Sequence, residues 1–479
     1  IEENPYIELL QDKEMGGANL KINEESFDNK IFTCDADKKR ISILDSNSTT
    51  IRFFTRENDG YEINKKYSFY SGRYTIRLSI ESAQLSDKMV SVGWMSGIAE
   101  SETHNGGKAS SYDIRKIHLF DGKNVSHFIE KKESEPKIES GYYKWAGLTS
   151  KYFLIAIIPD SVRDAELTIQ AYEENGQEGE NKKQAKSINY RFMCKRFAVG
   201  ESEGYTIYIG PSKINDLKRQ NIKLEKVLFS GWKIFFRADV WFPVLCEFVL
   251  WLLIFLQKIF HDYGIVIIML TILSRLVTFP LTHSSMKSMN KMRELQPKVN
   301  EIREKYKNDA KKMNQKMMDL YKKEGVNPLN PGCLPMFLQM PVFIALFIVL
   351  QKAIELRGQG TWLVPWIHDL SKPEILPIPF INPLPFEIPM YGKNIALLPI
   401  IMAILTYFQN KATIKDPNQK MMIYFMPIFM LVLFNNFPSG LVLYWTFSSV
   451  MALAQQWWTD YKNQEKNENK VKTAINCRQ

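Results

Sequence analysis

The chain has 479 residues, a net charge of +10 and a hydrophobic fraction of 45%. Its five cysteines and six histidines do not form a disulfide framework, show no zinc-site spacing and argue against histidine-based catalysis. The average composition is that of a soluble protein, but it conceals two unlike halves. Residues 1–225 are polar, whereas residues 240–460 carry nearly all the long apolar runs.

Residues 1–225 have the pattern of a β-rich extracytoplasmic domain. Short runs of alternating apolar and polar residues are separated by Gly, Asn and Asp. Such runs include residues 51–55, 74–80, 89–94, 152–158, 167–172 and 205–209. Alternation with period 2 predicts strands, and many strands with short turns predict a β-sandwich. Residues 1–30 have mixed charge, and we expect them to be partly mobile. Residues 175–186 are highly polar and are predicted to form an exposed loop.

Two cysteines, Cys34 and Cys194, fall in this N-terminal domain. They either form a disulfide or remain unpaired thiols, and the second alternative is favoured because the chain shows no disulfide framework.

Residues 226–261 form a linker and a predicted interfacial amphipathic helix. The stretch 241–260 is apolar enough to be a sixth span, but Glu247 lies near its middle. A crossing there would place either the N-terminal domain or the basic region 283–325 on the wrong side of the membrane. We therefore favour a helix that lies on the outer face.

Five later stretches are about as long and apolar as a membrane-spanning helix requires. They are residues 262–282, 334–354, 395–411, 421–437 and 439–459. Pro341 interrupts the second and Pro427 the fourth, which predicts short or kinked helices. Together the stretches make residues 262–460 an α-helical membrane core of five transmembrane helices.

The distribution of positive charge predicts the orientation of these spans. Residues 283–325 contain twelve Lys or Arg and six Asp or Glu. Short loops rich in Lys and Arg stay in the cytoplasm, so this region is inside, as is the basic tail 461–479. Five alternating spans then place the N-terminal domain outside. Its export needs a signal peptide or an anchor helix, and we expect one to have been removed ahead of Ile1.

Residues 283–325 also have helical periodicity, which predicts a cytoplasmic helical hairpin whose second arm starts near Asp309. Two interpretations remain open. The hairpin is either a plain cytoplasmic loop that happens to be helical, or a moving basic paddle near nascent chains and lipid headgroups.

Arg275 is the most informative residue, because it lies inside the first predicted span. Six residues, or about 9 Å, separate it from Leu281 near the cytoplasmic end. An arginine at such a depth costs about 2.5–3.5 kcal/mol on insertion scales. No Asp or Glu lies within the apolar part of any span. The side chain either extends to the headgroups or faces a hydrated groove that opens to the cytoplasm and attracts an acidic segment.

The stretches around Arg275 are similar to the YidC family of bacterial membrane protein insertases, which includes the mitochondrial oxidase-assembly and chloroplast thylakoid insertases. Matching segments include YGIVIIMLTILSRLVTFPLT, MDLYKKEGVNPLNPGCLPMFLQMP, DPNQKMMIYFMP and FPSGLVLYW. WAGLTSKYFLIAIIP is similar to the outer domain of Gram-negative-type members. The resemblance implies a β-supersandwich outer domain on the helical core, and an insertase that is not an enzyme and needs no cofactor or metal.

The resemblance also implies a substrate-binding groove. Its residues are Arg275, Thr271, Gln409, Asn410, Tyr444, Trp445 and Gln339. Many members have Tyr-Tyr where this chain has Tyr444 and Trp445, which puts the role of Trp445 in doubt. Gln339 could instead bond a backbone group that Pro341 frees.

The partners implied by the resemblance are nascent membrane proteins, the Sec translocon, the ribosome and membrane lipids, with no DNA. The basic hairpin and tail suit the ribosome, although a positive-inside signal explains their charge almost as well. The implied location is the bacterial inner membrane.

Two functions are alternatives to an insertase: a secondary transporter or channel, and a sugar-processing outer domain. The first lacks an inverted repeat, and the second lacks carboxylates paired with His104, His118 or His127.

Overall fold

The computed structural model describes residues 18–23, 25–28, 30–36, 41, 43, 48–56, 62–83, 85–86, 88–99, 115–130, 132–161, 164–174, 187–197, 200–229, 238–325, 334–376, 394–413 and 420–476. The chain divides into two compact units, Ile1–Asp239 and Val240–Gln479. The predicted loop at 175–186 lies outside the described residues.

The first unit contains an antiparallel sheet of nine described strands. In spatial order they are β3 (Thr33–Cys34), β4 (Ser48–Arg56), β5 (Glu62–Tyr70), β6 (Thr75–Glu81), β15 (Ser202–Pro211), β12 (Phe153–Pro159), β11 (Trp145–Thr149), β8 (Lys116–Phe120) and β9 (Val125–Phe128). β15, the last strand in the chain, lies between β6 and β12. Its Ile207 is paired with Ile76 of β6 on one side and with Ile157 of β12 on the other. This insertion joins the two halves of the sheet.

A second antiparallel sheet has six described strands. In spatial order they are β10 (Lys137–Tyr142), β13 (Asp164–Glu174), β14 (Ser187–Phe197), β7 (Met89–Trp94), β1 (Ala18–Ile22) and β2 (Glu25–Ser26). The expectation that all of residues 1–30 would be partly mobile is therefore wrong for β1. Its pairing with β7, from Ala18↔Trp94 to Ile22↔Val90, buries Leu20 and Ile22.

The two sheets meet through buried side chains. Arg196 on β14 and Glu203 on β15 are 1% and 6% exposed, and they form an ion pair of 3.8 Å between the sheets. Every residue of β12 is buried, which means that both faces of this strand are covered. Residues 212–229, with α1 (Ile214–Lys218) and α2 (Lys226–Phe229), cover the nine-stranded sheet, and the Trp145 indole donates to the Ile222 carbonyl at 3.0 Å.

The second unit is helical throughout its described elements. They are α3 (Ala238–Phe260), α4 (Tyr263–Lys305), α5 (Ala310–Lys323), α6 (Leu334–Lys352), α7 (Leu397–Thr413), α8 (Lys420–Phe434) and α9 (Ser439–Asn476). Helix α9 packs against α4, α6 and α7, while α8 packs along α7. The long C-terminal helix therefore forms the centre of this unit.

Each of the five predicted spans coincides with a helix, but two helices continue beyond the predicted ends. Helix α4 runs through the first span into the first arm of the hairpin, and α9 runs through the basic tail to Asn476. Helix α4 continues past Pro280, two residues before the end of the predicted span, whereas Lys, Glu and Gln residues with good helix propensity follow the apolar segment of α9. Asp309 caps α5 as expected, and Lys298 and Glu324 join the two arms at 3.1 Å.

Helix lengths differ widely in this unit. Two stretches of the described residues, Trp241–Phe260 and Tyr263–Pro280, are long and apolar enough to cross a membrane, with mean hydropathies of 1.9 and 1.8. Helices α7 and α8 have 17 and 15 residues, which correspond to about 26 and 23 Å. Both are shorter than the roughly 30 Å hydrocarbon core of a typical bilayer.

Helices α3 and α4 meet at a sharp corner. His261 has a φ of 58°, in the left-handed region, and the Asp262 carboxylate caps α4 by accepting the Ile265 N–H at 3.0 Å. The two helices do not pack lengthwise along their described residues. One face of α3 is apolar and exposed. It presents Trp241, Val244, Phe248, Trp251 and Phe255.

Candidate functional site

Arg275 on α4 extends its guanidinium to Ser448 on α9. Its Nη2 donates to the Ser448 hydroxyl at 2.6 Å and to the Ser448 carbonyl at 2.8 Å, and Nε donates to the hydroxyl at 3.2 Å. Ser448 is buried, whereas Arg275 is half-buried. Within the part of the chain that the structure describes, no carboxylate forms an ion pair with Arg275. Neutral dipoles therefore hold its positive charge without neutralising it.

The hydroxyl groups of α4 near Arg275 bond to their own helix. Thr271 is fully buried and donates to the Ile267 carbonyl at 2.7 Å, and Ser274 donates to the Thr271 carbonyl at 2.8 Å. Such back-bonding satisfies a hydroxyl where water is absent. Thr271 thus lies one turn from Arg275, as its spacing predicts, but its hydroxyl is directed to the backbone.

Tyr444 and Gln339 form a second polar link between helices. The Gln339 amide on α6 donates to the Tyr444 hydroxyl on α9. Tyr444 is only 1% exposed. Because Tyr444 and Ser448 are four residues apart, both lie on the same face of α9. This face therefore holds α6 through one residue and α4 through the other.

Trp445 lies in an aromatic cluster rather than beside Arg275. Its ring is edge-on to Phe343 of α6 at 4.8 Å and lies 5.4 Å from Phe434 of α8. The cluster also includes Phe437, which is 4.9 Å from Phe434. Trp445 thus joins three helices near the end of α8, and it is half-buried.

Gln409 and Asn410 lie near the C-terminal end of α7, about 18 Å along the helix from Leu397. Both side chains are half-buried. Helix α7 packs against α9, which places the pair on a helix next to the one that carries Ser448. The structure thus brings the predicted residues onto four neighbouring helices, α4, α6, α7 and α9.

Ser448 is not among the groove residues that the resemblance implies, although it is the only described hydrogen-bond partner of the Arg275 guanidinium. A usable signal was its position one helical turn after Tyr444. Gln455 is also outside that set; it is seven residues after Ser448 and therefore on the same side of α9. The Gln455 Nε2 is buried and has no partner among the described residues. No group of His, Cys, Asp or Glu in the described ranges could hold a metal ion.

Taken together, these contacts define a charged polar site inside an apolar helical unit. An uncompensated guanidinium attracts an anionic group, and a buried amide without a partner favours water or a polar ligand. No nucleophile or paired acid and base accompanies them in the described part of the site. The arrangement therefore suits reversible binding of a polar or acidic segment.

Two family models match the chain, the YidC periplasmic domain over residues 5–239 and the 60Kd inner membrane protein over residues 255–467. The membrane protein insertase YidC of Chlorobium luteolum is 34% identical over 409 residues, which cover 85% of this chain and 65% of that protein. That of Chlorobium phaeovibrioides is 32% identical over 451 residues, covering 91% and 73%. The chain spans about two thirds of the length of these curated relatives.

A crystal structure of an active YidC insertase, with its first transmembrane domain resolved, aligns with 90% of this chain and 84% of that chain. The sequence identity is 19% and the TM-score is 0.40. The two matched models together define a class of protein in which a periplasmic domain precedes an inner-membrane helical unit. Given also the identity to curated relatives, the chain belongs to the YidC family of membrane protein insertases.

Proposed function

We propose that the chain is a membrane protein insertase, which moves segments of other proteins into the bacterial inner membrane without covalent chemistry. One observation carries the proposal. Arg275 lies in an apolar helix, and Ser448 is its one hydrogen-bond partner among the described residues, so its charge remains available. An arginine that served only to fix helices would gain more from a carboxylate partner, as buried charges in proteins normally have.

The mechanism follows from that available charge. A polar or acidic segment of a nascent chain enters the groove between α4, α6, α7 and α9 from the cytoplasmic side. Two unit charges 4 Å apart at an effective dielectric near 20 attract by about 4 kcal/mol before desolvation costs. The following apolar helix then moves sideways into the lipid, driven by the hydrophobic effect. Ser448 orients the guanidinium, and Gln455 extends the polar face towards the entrance.

The proposed topology has five crossings, made by the apolar parts of α4, α6, α7, α8 and α9. Residues 1–225 form the periplasmic domain, and the α4–α5 hairpin and the end of α9 are cytoplasmic. Helix α3, within 226–261, lies on the outer face. Its corner with α4 and its apolar exposed stripe support that position over an antiparallel sixth span. The short α7 and α8 suit a locally thinned bilayer.

The proposed partners are nascent membrane proteins, the Sec translocon, the ribosome and membrane lipids. Helix α5 supports contacts with anionic partners, because Lys311, Lys312, Lys316, Lys322 and Lys323 are all exposed. Ribosomal RNA and acidic headgroups are both attracted by such a surface.

The test is rescue of insertion in cells depleted of their own insertase, using a single-span substrate with an acidic N-terminal tail. We expect the parent chain, joined to a functional export anchor, to restore insertion, and Arg275→Ala to lose about tenfold or more, because it removes the attracting charge. Arg275→Lys keeps the charge and should retain part of the activity. Val450→Ala, which shortens an exposed apolar side chain on α9, is the matched control.

Equal rescue by the parent and Arg275→Ala, at equal protein levels, would remove the charged groove from the mechanism. No rescue by a well-expressed parent in several hosts, together with ion-coupled solute uptake in liposomes, would instead favour the transporter alternative.

A further inference from the structure

The segment after α6, residues 353–376, lies where four helices end or begin. Helix α6 runs directly into it, and the starts of α4, α7 and α9 each bond to it. Pro438, directly ahead of α9, adds the Pro373↔Pro438 bridge. We call residues 353–376 the cap segment. All of its residues are described.

The first attachment is to α4. The Asp262 carboxylate accepts the Thr361 hydroxyl at 2.9 Å and the Trp362 N–H at 3.1 Å, in addition to the Ile265 N–H of α4. Gly264 permits this close approach, because a Cβ there would lie 2.2 Å from the Thr361 hydroxyl oxygen. The carboxylate thus satisfies the helix start and the cap segment at the same time.

The second attachment is to α9. The N–H groups of Ser439 and Gly440 donate to the carbonyls of Lys372 at 2.8 Å and Leu370 at 3.0 Å. The Ser439 hydroxyl donates to the Asp369 carbonyl at 3.2 Å. Backbone acceptors of the cap segment therefore satisfy the first donors of α9, which no residue inside the helix can reach.

The third attachment is to α7. The Leu376 N–H donates to the Ile395 carbonyl at 3.2 Å just ahead of the helix, and one side chain of the cap segment bonds the helix start itself. Glu374 is 5% exposed. Its carboxylate accepts the N–H groups of Leu397 at 3.2 Å and Leu398 at 2.8 Å, and the Trp366 indole N–H at 2.5 Å. A buried carboxylate with no cation partner among the described residues is stabilised here by three N–H donors and by the positive end of the α7 dipole.

We propose that Glu374 is a positioning residue for the groove, which holds the start of α7 against the cap segment and so keeps the groove closed at that end. The proposal rests on the proposed function above. The same cap segment fixes the starts of α4 and α9, so the three helices that carry Arg275, Gln409 and Ser448 are tied together at one end. The cap segment therefore restricts their separation at this end, and we expect them to separate more easily at the opposite, cytoplasmic end.

This arrangement gives the groove a direction. Arg275 and Ser448 lie about 20 and 14 Å along their helices from the cap segment. A polar segment that enters from the cytoplasm can therefore reach Arg275 but cannot leave on the outer side while Glu374 holds α7. The function of Glu374 is then a barrier that favours sideways release into lipid over passage across the membrane.

The test uses the full chain with its five native cysteines replaced, in sealed vesicles, and a membrane-impermeant maleimide. A reporter cysteine replaces Ala403, which is buried on α7 about 9 Å from its start. We expect slow labelling from the outer side in the parent and about tenfold faster labelling in Glu374→Ala, because loss of the carboxylate favours local opening. The labelling rate in Glu374→Gln should lie between those of the parent and Glu374→Ala, because the glutamine amide turns an N–H group towards one of the three donors. Ile375→Ala, at an exposed neighbour, should match the parent.

Two further reporters separate the possible failures. A cysteine at Ala452, about 20 Å along α9 from the cap segment, should stay unlabelled from outside in Glu374→Ala. Equal acceleration at both positions would mean general unfolding and would overturn the positioning role, as would an unchanged rate at Ala403. A cysteine at the exposed Trp362 reports which side the cap segment faces. Its labelling only from the cytoplasm would instead contradict the proposed topology.

Discussion

The two units each contain a buried or half-buried arginine, but they treat it in opposite ways. Arg196 in the β unit is 1% exposed, pairs with Glu203 at 3.8 Å and donates to the Ser161 carbonyl at 2.5 Å and hydroxyl at 3.1 Å. Within the described ranges, Arg275 in the helical unit bonds to a serine and to no carboxylate. Arg196 has a buried counter-charge and a serine partner, whereas Arg275 has no counter-charge among the described residues.

This difference distinguishes an arginine whose charge is paired within the fold, Arg196, from one whose charge is available for function, Arg275. A buried ion pair contributes little net stability, but removal of one partner is costly because the other charge is left behind. Arg275 leaves no such charge behind, because its partner is a neutral hydroxyl. Loss of Arg196 should therefore damage folding, and loss of Arg275 should damage function with little effect on folding.

The largest effect on stability is expected for Arg196→Met. The Glu203 carboxylate would remain buried beside Cys194 and Tyr205 without a cation, at a cost of about 3–5 kcal/mol. Pulse proteolysis of the full chain in detergent, across a urea series, measures the unfolding of this unit. Lys66→Met, which removes one side of the exposed pair with Glu81, should change little. A midpoint for Arg196→Met equal to that of the parent would show that the ion pair is not part of the core.

The next effect concerns the Gln339–Tyr444 link of the helical unit. Gln339→Leu removes one of the two side-chain partners of the buried Tyr444 hydroxyl, the other being Ser274, and should cost about 1 kcal/mol. Tyr444→Phe should cost a similar amount, and the double variant Gln339→Leu/Tyr444→Phe should cost less than the sum of the two, because neither polar group of the pair then remains. Thermal unfolding in detergent gives the coupling as a double-mutant cycle. Strictly additive single effects would mean that the two side chains do not interact.

A smaller effect on stability is expected for Arg275→Ala. The guanidinium is half-buried and the Ser448 hydroxyl can bond back to its own helix, so the cost should stay within about 1 kcal/mol. The same unfolding assay, run beside the insertion assay on one preparation, gives both the free energy of unfolding and the insertion activity of the variant. A loss of several kcal/mol would show that Arg275 mainly fixes α4 to α9, and would weaken its assignment to substrate binding.

The sequence predicted the helical unit better than the β unit, for physical reasons. A span of apolar residues identifies a helix by itself, and Arg275 is visible because charge is so rare inside such spans. Strands depend on partners that are distant in the chain, so β1 within residues 1–30 was missed although its partner β7 was identified. The sequence placed the ends of two spans at 282 and 459, but it did not show that α4 and α9 continue unbroken beyond them, because an apolar run marks the end of a span and not the end of a helix.

The site was predictable in its residue types but not in its contacts. Tyr444 and Gln339 were selected without any sign that they bond to each other, since 105 residues separate them. Ser448 is one of several polar residues within the apolar spans, and nothing in the sequence distinguishes it from the others as the partner of Arg275, because a serine in an apolar helix is usually satisfied by its own backbone. Glu374 was overlooked because the loop that carries it has no periodic pattern. Its role appears only once the starts of three helices are known to meet one segment.

The smallest effect, and a sensitive one, concerns the two thiols of the β unit. Burial raises the pKa of the Cys194 thiol to about 11, with Glu203 adding to the shift and Arg196 opposing it, whereas Cys34 is exposed. At pH 8 only about one Cys194 thiol in a thousand is the reactive thiolate. In a variant that keeps only these two cysteines, maleimide should label Cys34 alone. Labelling of Cys194 should rise with pH, and it should also rise in Arg196→Met, because loss of the ion pair opens the core. Rapid labelling of Cys194 in the parent at pH 8 would show that the core around Arg196 is open to solvent. The contrast between a buried Arg196 and an available Arg275 would then be lost.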